Sequence, residues 1–237
     1  MEVIQKVDDP KYENPKLEEI EKDPKYYEQM QFLLENSDNP KVLNYCSNYL
    51  RIFVSQDSPI WTVPLLTEIL EWIPAFLQKR IETIFHLSRS YRNVIIDSLT
   101  KLFTYIINQV SEANSKPSEI FSMIINAIPD SDVVHRELQY SFLTGVINEI
   151  NTNSLTQKIR AQIVADRNDT TLIELFMQVV ENNFSQEYDF SRAEQAGMVQ
   201  TILELLLSIL EMYNKKKKES QDADNDDFLC DLSVNFK

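Results

Sequence analysis

The chain has 237 residues, with 23 Lys and Arg against 37 Asp and Glu, a net charge of −14, and 43% apolar residues. That supplies a large core, while the acidity excludes the basic footprint that DNA or RNA binding requires. Only 2 residues are Gly, where average usage gives about 17; Gly-rich phosphate loops and dinucleotide fingerprints are therefore absent, and hairpin-rich β folds lack their turn residues.

The apolar spacing is helical almost throughout. Residues 1–22 are strongly charged, with few large apolar side chains, and are expected to be poorly ordered or a partial helix. The first clear helix spans 24–36, with Asp23 as cap and Pro24 in a first turn where a missing N–H costs nothing. Its buried face is Tyr27, Met30, Leu33 and Leu34; the opposite face carries Glu28, Phe32 and Glu35. Asn39-Pro40 repeats the start signal for a helix over about 40–56, with Val42, Leu43, Cys46, Leu50 and Phe53 on one side. A third helix from about Pro64 has the stripe Leu65, Leu66, Ile69, Ile73, Phe76 and Leu77. Pro74 inside it removes a hydrogen bond and predicts a kink. The face away from the stripe carries Glu71, Gln78 and Glu82, with Glu68 at the flank.

A helix over about 90–112 follows, with Ile95, Leu99, Leu102, Ile106 and Val110 in phase. Pro117 opens a shorter helix that stops before Pro129, and about 132–151 carries Leu138, Phe142, Val146 and Ile150 in phase. A polar stretch over about 152–168 includes Lys158, Arg160 and Arg167, the arginines answering local carboxylates such as Asp166 and Asp169. Thr171 with Glu174, and Ser191 with Glu194, read as capping boxes for helices 171–184 and 191–213. Residues 214–237 are expected to be an acidic, largely disordered segment after a solenoid over 23–213. Lys215 to Lys218 read as a positively charged helix end, or alternatively as a nuclear localisation signal.

His86 and His135 have no partner at metal-ligand spacing and read as helix-surface or helix-end residues. Cys46 and Cys230 are far apart and imply no disulfide framework. The apolar stretch from Met198 to Tyr213 reads as too short to span a bilayer, and it carries Glu204 and Glu211. A soluble intracellular protein is expected, without cofactor, metal or chemistry of its own. Helices arrive in pairs roughly every 40–47 residues, the HEAT and armadillo period. Each pair must stack on the next to bury its apolar faces, so an all-α, HEAT-type α-solenoid is expected, with a single helix bundle as the rival architecture.

Three blocks carry a family resemblance: Gly145-Val-Ile-Asn-Glu-Ile-Asn151, Leu155-Thr-Gln-Lys-Ile-Arg160, and Asp166-Arg-Asn-Asp-Thr-Thr-Leu-Ile-Glu-Leu-Phe176. With Gln31-Phe-Leu-Leu-Glu35 and Asp226-Asp-Phe-Leu-Cys230 they are collinear with, and the chain resembles, the N-terminal region of exportin-7-like nuclear transport receptors of the importin-β superfamily. Arg167-Asn168 stands where that family writes Arg-Asp, and Leu172-Ile173 where it writes Leu-Phe. Family members are several times longer, and their first helix is poorly represented in residues 1–22, so a fragment or short form is expected. The resemblance implies binding of Ran in its GTP form through the second helices of the first repeats. Glu28, Phe32, Glu35, Glu68, Glu71 and Glu82 are the candidate Ran-binding residues, chosen by helix face. It further implies a shuttling monomer, in nucleus and cytoplasm, with cargo proteins and nucleoporins as further partners and no direct insertion into a membrane. A general HEAT-repeat scaffold unrelated to Ran is the alternative.

Overall fold

Phase and stop signals become nine α-helices in a computed structural model that describes residues 24–55, 60–110, 117–128, 133–156, 159–160, 162–163, 171–184 and 191–219. The helices are α1 (Pro24–Asn36), α2 (Pro40–Val54), α3 (Val63–Lys79), α4 (Ile81–Phe85), α5 (Arg89–Val110), α6 (Pro117–Asn126), α7 (Val133–Thr152), α8 (Thr171–Phe184) and α9 (Ala193–Glu219). No strand occurs among the described residues, and the fold is all-α. The expectations for residues 1–22, the Asp23 cap, Arg167 with Asp166 and Asp169, and residues 220–237 with Cys230 lie outside the described residues.

Local chemistry sets the helix ends. Asn39 is extended, and its Oδ1 accepts the Lys41 N–H at 3.0 Å, as an N-cap should. Pro40 and Pro64 sit in first turns. α3 runs through Pro74 to Lys79; the proline is buried among Ile73, Phe76 and Leu77, whose packing holds the helix across the lost hydrogen bond. Three details differ from the sequence expectation. A short helix, α4, follows α3, so Glu82 belongs to α4 rather than α3. Residues α9 was expected to lose after 213 are helical to Glu219, placing Lys215 to Lys218 in its last turns. Its first backbone bond runs from Ala196 N–H to the Arg192 carbonyl, so Arg192 rather than Ser191 holds the cap position.

The helices form two rows. α2, α5, α7 and α9 pack side by side in that order; α1, α3, α6 and α8 cover them, with α1 on α2, α3 on α5, α6 on α7 and α8 on both α6 and α9. Within each row, helices one step apart in the alternation can be oriented from their contacts. Glu137 meets Gly197 near the starts of α7 and α9, while the Asn151 amide donates to the Ser208 carbonyl at 2.9 Å further along. α7 and α9 are therefore parallel. Tyr27 meets Trp61 at the start of α1 and α3, and Glu35 meets Trp72 and Lys79 towards their ends, so these two are parallel as well.

The core runs between the rows. All five in-phase residues expected on α5 and all four on α7 are buried. Phe103 of α5 meets Phe142 of α7 edge to face at 5.4 Å, and Phe121 of α6 meets Phe176 of α8 at 5.2 Å. Each fully buried ring contributes about 1.5–3 kcal/mol, and an edge-to-face pair adds about 0.5–1.5 kcal/mol. The stretch expected to be polar also feeds the core, through Ile159 and Ile163. The two glycines mark close approaches. A Cβ on Gly145 would sit 2.9 Å from Thr100 Oγ1 of α5, and one on Gly197 would sit 3.3 Å from Glu137 Oε1 of α7.

Candidate partner-binding face

Tyr27 organises the first end of the molecule. Its ring packs edge to face on Trp61 at 6.0 Å, and Trp61 packs in turn on Phe53 at 5.0 Å while donating its N–H to the Phe53 carbonyl at 3.1 Å. Burial, followed by the carboxylates of Glu68, Glu28 and Glu35, drives ionisation of the Tyr27 hydroxyl well above the ordinary tyrosine range. Three of the six candidate residues thus converge electrostatically on one hydroxyl at the seam between α1 and α3.

The six do not form one uniform face. Glu28 and Glu68 are exposed on the seam. Phe32 is 64% exposed on α1, an isolated aromatic with acidic neighbours. Glu71 is exposed on α3. Glu35, expected to be free for a partner, is half-buried and engaged within the chain. Its Oε1 accepts the Trp72 indole N–H at 2.7 Å, and its Oε2 accepts from Lys79 at 3.1 Å. Those donors, the indole foremost, hold its carboxyl below the usual carboxylate range. The wheel of α1 placed Glu35 outward correctly, but it could not show that α3 lies parallel against that flank. Arg80 adds a second tie, donating to the Ser37 carbonyl at 2.6 Å and to Asp38 at 2.7 Å. Glu82 stands apart on α4, 3.6 Å from the exposed His86 at that helix's end.

A second feature escaped the sequence. Between α5, α7 and α9 lies a groove of about 890 Å³, lined by Arg89, Asp97, Glu137, Asn148, Glu149 and Glu204 among others. Both glycines of the chain line it. Gly inside a helix costs roughly 0.5–1 kcal/mol relative to Ala, so two mid-helix glycines in a glycine-poor chain were a legible signal of close helix contact. The polar walls are partly self-satisfied: Lys101 pairs with Asp97 at 2.8 Å, Gln200 donates to Glu204 at 2.8 Å, and the Arg92 guanidinium lies over the Phe85 ring at 5.3 Å. Tyr27, Glu35, Tyr45 and Cys46, whose pKa values are shifted, lie on α1 and α2 rather than in this groove.

Among the described residues no group of three or more His, Cys, Asp or Glu could hold a metal ion. Cys46 is fully buried, and burial pushes its thiol up to about 12. The window Gln195–Met212 of α9, mean hydropathy 1.2, is long and apolar enough by length and composition to cross a membrane, contrary to the sequence expectation. The helix is longer than the apolar stretch that suggested otherwise. Glu204 and Glu211 lie in that window, and one side of it packs along α7. No protein-family model, curated protein or solved structure matches the chain.

Proposed function

We propose that the chain is a HEAT-type α-solenoid interaction protein of the nuclear transport receptor class. It binds Ran-GTP non-covalently through the α1–α3 seam and takes part in export of proteins from the nucleus. The observation that carries the proposal is the exposed Phe32 on α1, with Glu28 exposed on the same helix and Glu68 and Glu71 exposed on the parallel α3. An exposed aromatic within an acidic surround suits a basic protein surface: the ring supplies an anchor, and the carboxylates supply steering and register. Preference for one nucleotide state follows if the partner offers that surface in one state only. The two-row packing, with parallel helices at one remove, supports stacked helix pairs over a single bundle. The exportin-like sequence blocks supply the identity of the partner, and with it a location shared between nucleus and cytoplasm.

A second reading, a general HEAT-repeat scaffold unrelated to Ran, draws on a different observation. Glu35 and Asp38 are answered internally by Lys79 and Arg80, which weakens the acidic face, while the α5–α7–α9 groove offers a separate surface. The two separate by mutation. In the full chain, Glu28→Lys with Glu68→Lys, and separately Phe32→Ala, should each weaken capture by Ran carrying a non-hydrolysable GTP analogue by about tenfold or more. Glu82→Lys, on α4, should change it little. Equal behaviour of all three variants would remove the seam from the account.

A further inference from the structure

The α5–α7–α9 groove takes no part in the α1–α3 seam. Its floor is the outer strip of α7, where Glu137, Ser141, Gly145 and Asn148 recur at helical spacing. Ser141 and Gly145 keep the middle of that strip low, and Gly197 does the same on α9, so another backbone can approach closely. Carboxylates stand at both ends. Glu137 is at one, and Glu149 lies about 18 Å further along α7. Glu204 faces the same space from α9: Gly197 meets Glu137 and the two helices are parallel, which puts Glu204 about 10 Å along the groove from Glu137. On the α5 side Asp97 is answered by Lys101 at 2.8 Å, and the first turn adds Arg89 and Arg92. The groove is thus acidic along α7 and α9 and basic at the start of α5. A second, independent observation points to an occupant. Thr100 lines the groove and is 3% exposed, yet its Oγ1 has no hydrogen-bond partner. A buried hydroxyl left unpaired is costly. It stands opposite Gly145, 2.9 Å from where a Cβ on that residue would lie, so the missing side chain leaves room beside it.

We propose that the groove binds an extended peptide segment carrying basic residues four positions apart. In an extended chain such residues lie on the same side, about 13 Å from one another. That matches the step from Glu137 to the end of the groove held by Glu204 and Glu149, at about 10 and 18 Å. The cationic side chains pair with these carboxylates through charge-assisted hydrogen bonds. Intervening side chains on the other side of the strand face α5, where Arg89 and Arg92 select acidic or neutral groups and disfavour further basic ones. A carbonyl of the peptide accepts the Thr100 hydroxyl, and the bare backbone at Gly145 lets it come close enough. The volume of about 890 Å³ falls in the range of sites that enclose short ligands. The site does not depend on the identity of the partner at the α1–α3 seam.

The probe is a labelled acetyl-Lys-Ser-Gly-Ser-Lys-amide peptide, titrated with the full chain and followed by fluorescence anisotropy. Its isomer with the two lysines adjacent has the same charge and composition. The spaced peptide should bind about fivefold or more tighter than the isomer, because only it reaches carboxylates at both ends. Glu137→Gln with Glu204→Gln should weaken the spaced peptide about tenfold or more and erase its advantage. Glu28→Gln with Glu68→Gln, at the seam, removes the same charge and should leave binding unchanged. Failure of the Ran reading therefore leaves this test intact. Thr100→Val should weaken the spaced peptide about threefold or more while thermal stability holds or rises, since valine leaves no buried hydroxyl unpaired. Equal binding of the two isomers, or equal losses from the groove and seam variants, would overturn the proposal, because the net charge of −14 would then account for the attraction. Unchanged binding by Thr100→Val would overturn it too. Displacement of the peptide by spermine at equal or lower concentration would do the same, by making the occupant a free polyamine.

Discussion

Replacing Glu35 with alanine should loosen the α1–α3 seam by about 2–3 kcal/mol. Two interactions are lost. The indole N–H of Trp72 donates to a carboxylate in a half-buried setting, a charge-assisted bond worth about 1.5–3 kcal/mol. The Lys79 pair is 64% exposed on the lysine side and adds only about 0.2–1 kcal/mol. Trp72→Phe keeps the ring packed on Phe76 at 4.9 Å but removes the donor. A double-mutant cycle of Glu35→Ala with Trp72→Phe should therefore return a coupling of about 1.5 kcal/mol. Both tryptophans of the chain, Trp61 and Trp72, lie at this end, so intrinsic fluorescence during urea unfolding reports on it in each variant that retains Trp61. The pH dependence has a fixed sign. Glu35 is held below its ordinary pKa, so its contribution is present above the unfolded carboxylate value of about 4.3 and is lost as pH falls through the lower folded value. The gap between wild type and Glu35→Gln should be open at pH 7 and close in strong acid. A coupling under about 0.5 kcal/mol, or a gap that persists unchanged in acid, would refute the clamp.

Two further outcomes follow from packing and burial. Gly145→Ala should destabilise by about 1–3 kcal/mol although Ala favours helix, because the new methyl meets the β-branched Thr100 of α5 at 2.9 Å; Thr100→Ala in the same chain should recover most of the loss in thermal unfolding. In alkali the folded state retains the protons of Cys46 and Tyr27 longer than the unfolded chain does, so stability should fall as pH rises beyond the ordinary thiol range of about 8.5. Urea midpoints at pH 8 and pH 10.5 measure the fall, and Cys46→Ala should flatten it.

The fold was largely legible because its determinants are local. The phase of Ile95, Leu99, Leu102, Ile106 and Val110 defines the buried side of α5 without reference to any neighbour, and Asn39-Pro40 starts α2 by hydrogen bonding over two residues. What stayed hidden depends on contacts distant in sequence. Glu35 looks outward on its own helix, and only the parallel α3, some 37 residues away, makes it internal. Glu82 was assigned to α3 because nothing in Lys79-Arg80-Ile81 announces a break; Arg80 leaves the helix and turns to Asp38. The α5–α7–α9 groove arises where three helices meet, and only the two glycines hinted at it. The candidate site was legible as a helix face and illegible as a set of partners.

Binding at the acidic α1–α3 seam can be measured directly. The purified full chain should be titrated with Ran carrying a non-hydrolysable GTP analogue and, in parallel, with Ran-GDP, each at low and high salt. Binding through the seam should show clear preference for the GTP form, weakening as salt screens the exposed carboxylates of Glu28 and Glu68. Binding to neither form by a folded, helical sample would contradict it and leave the general scaffold.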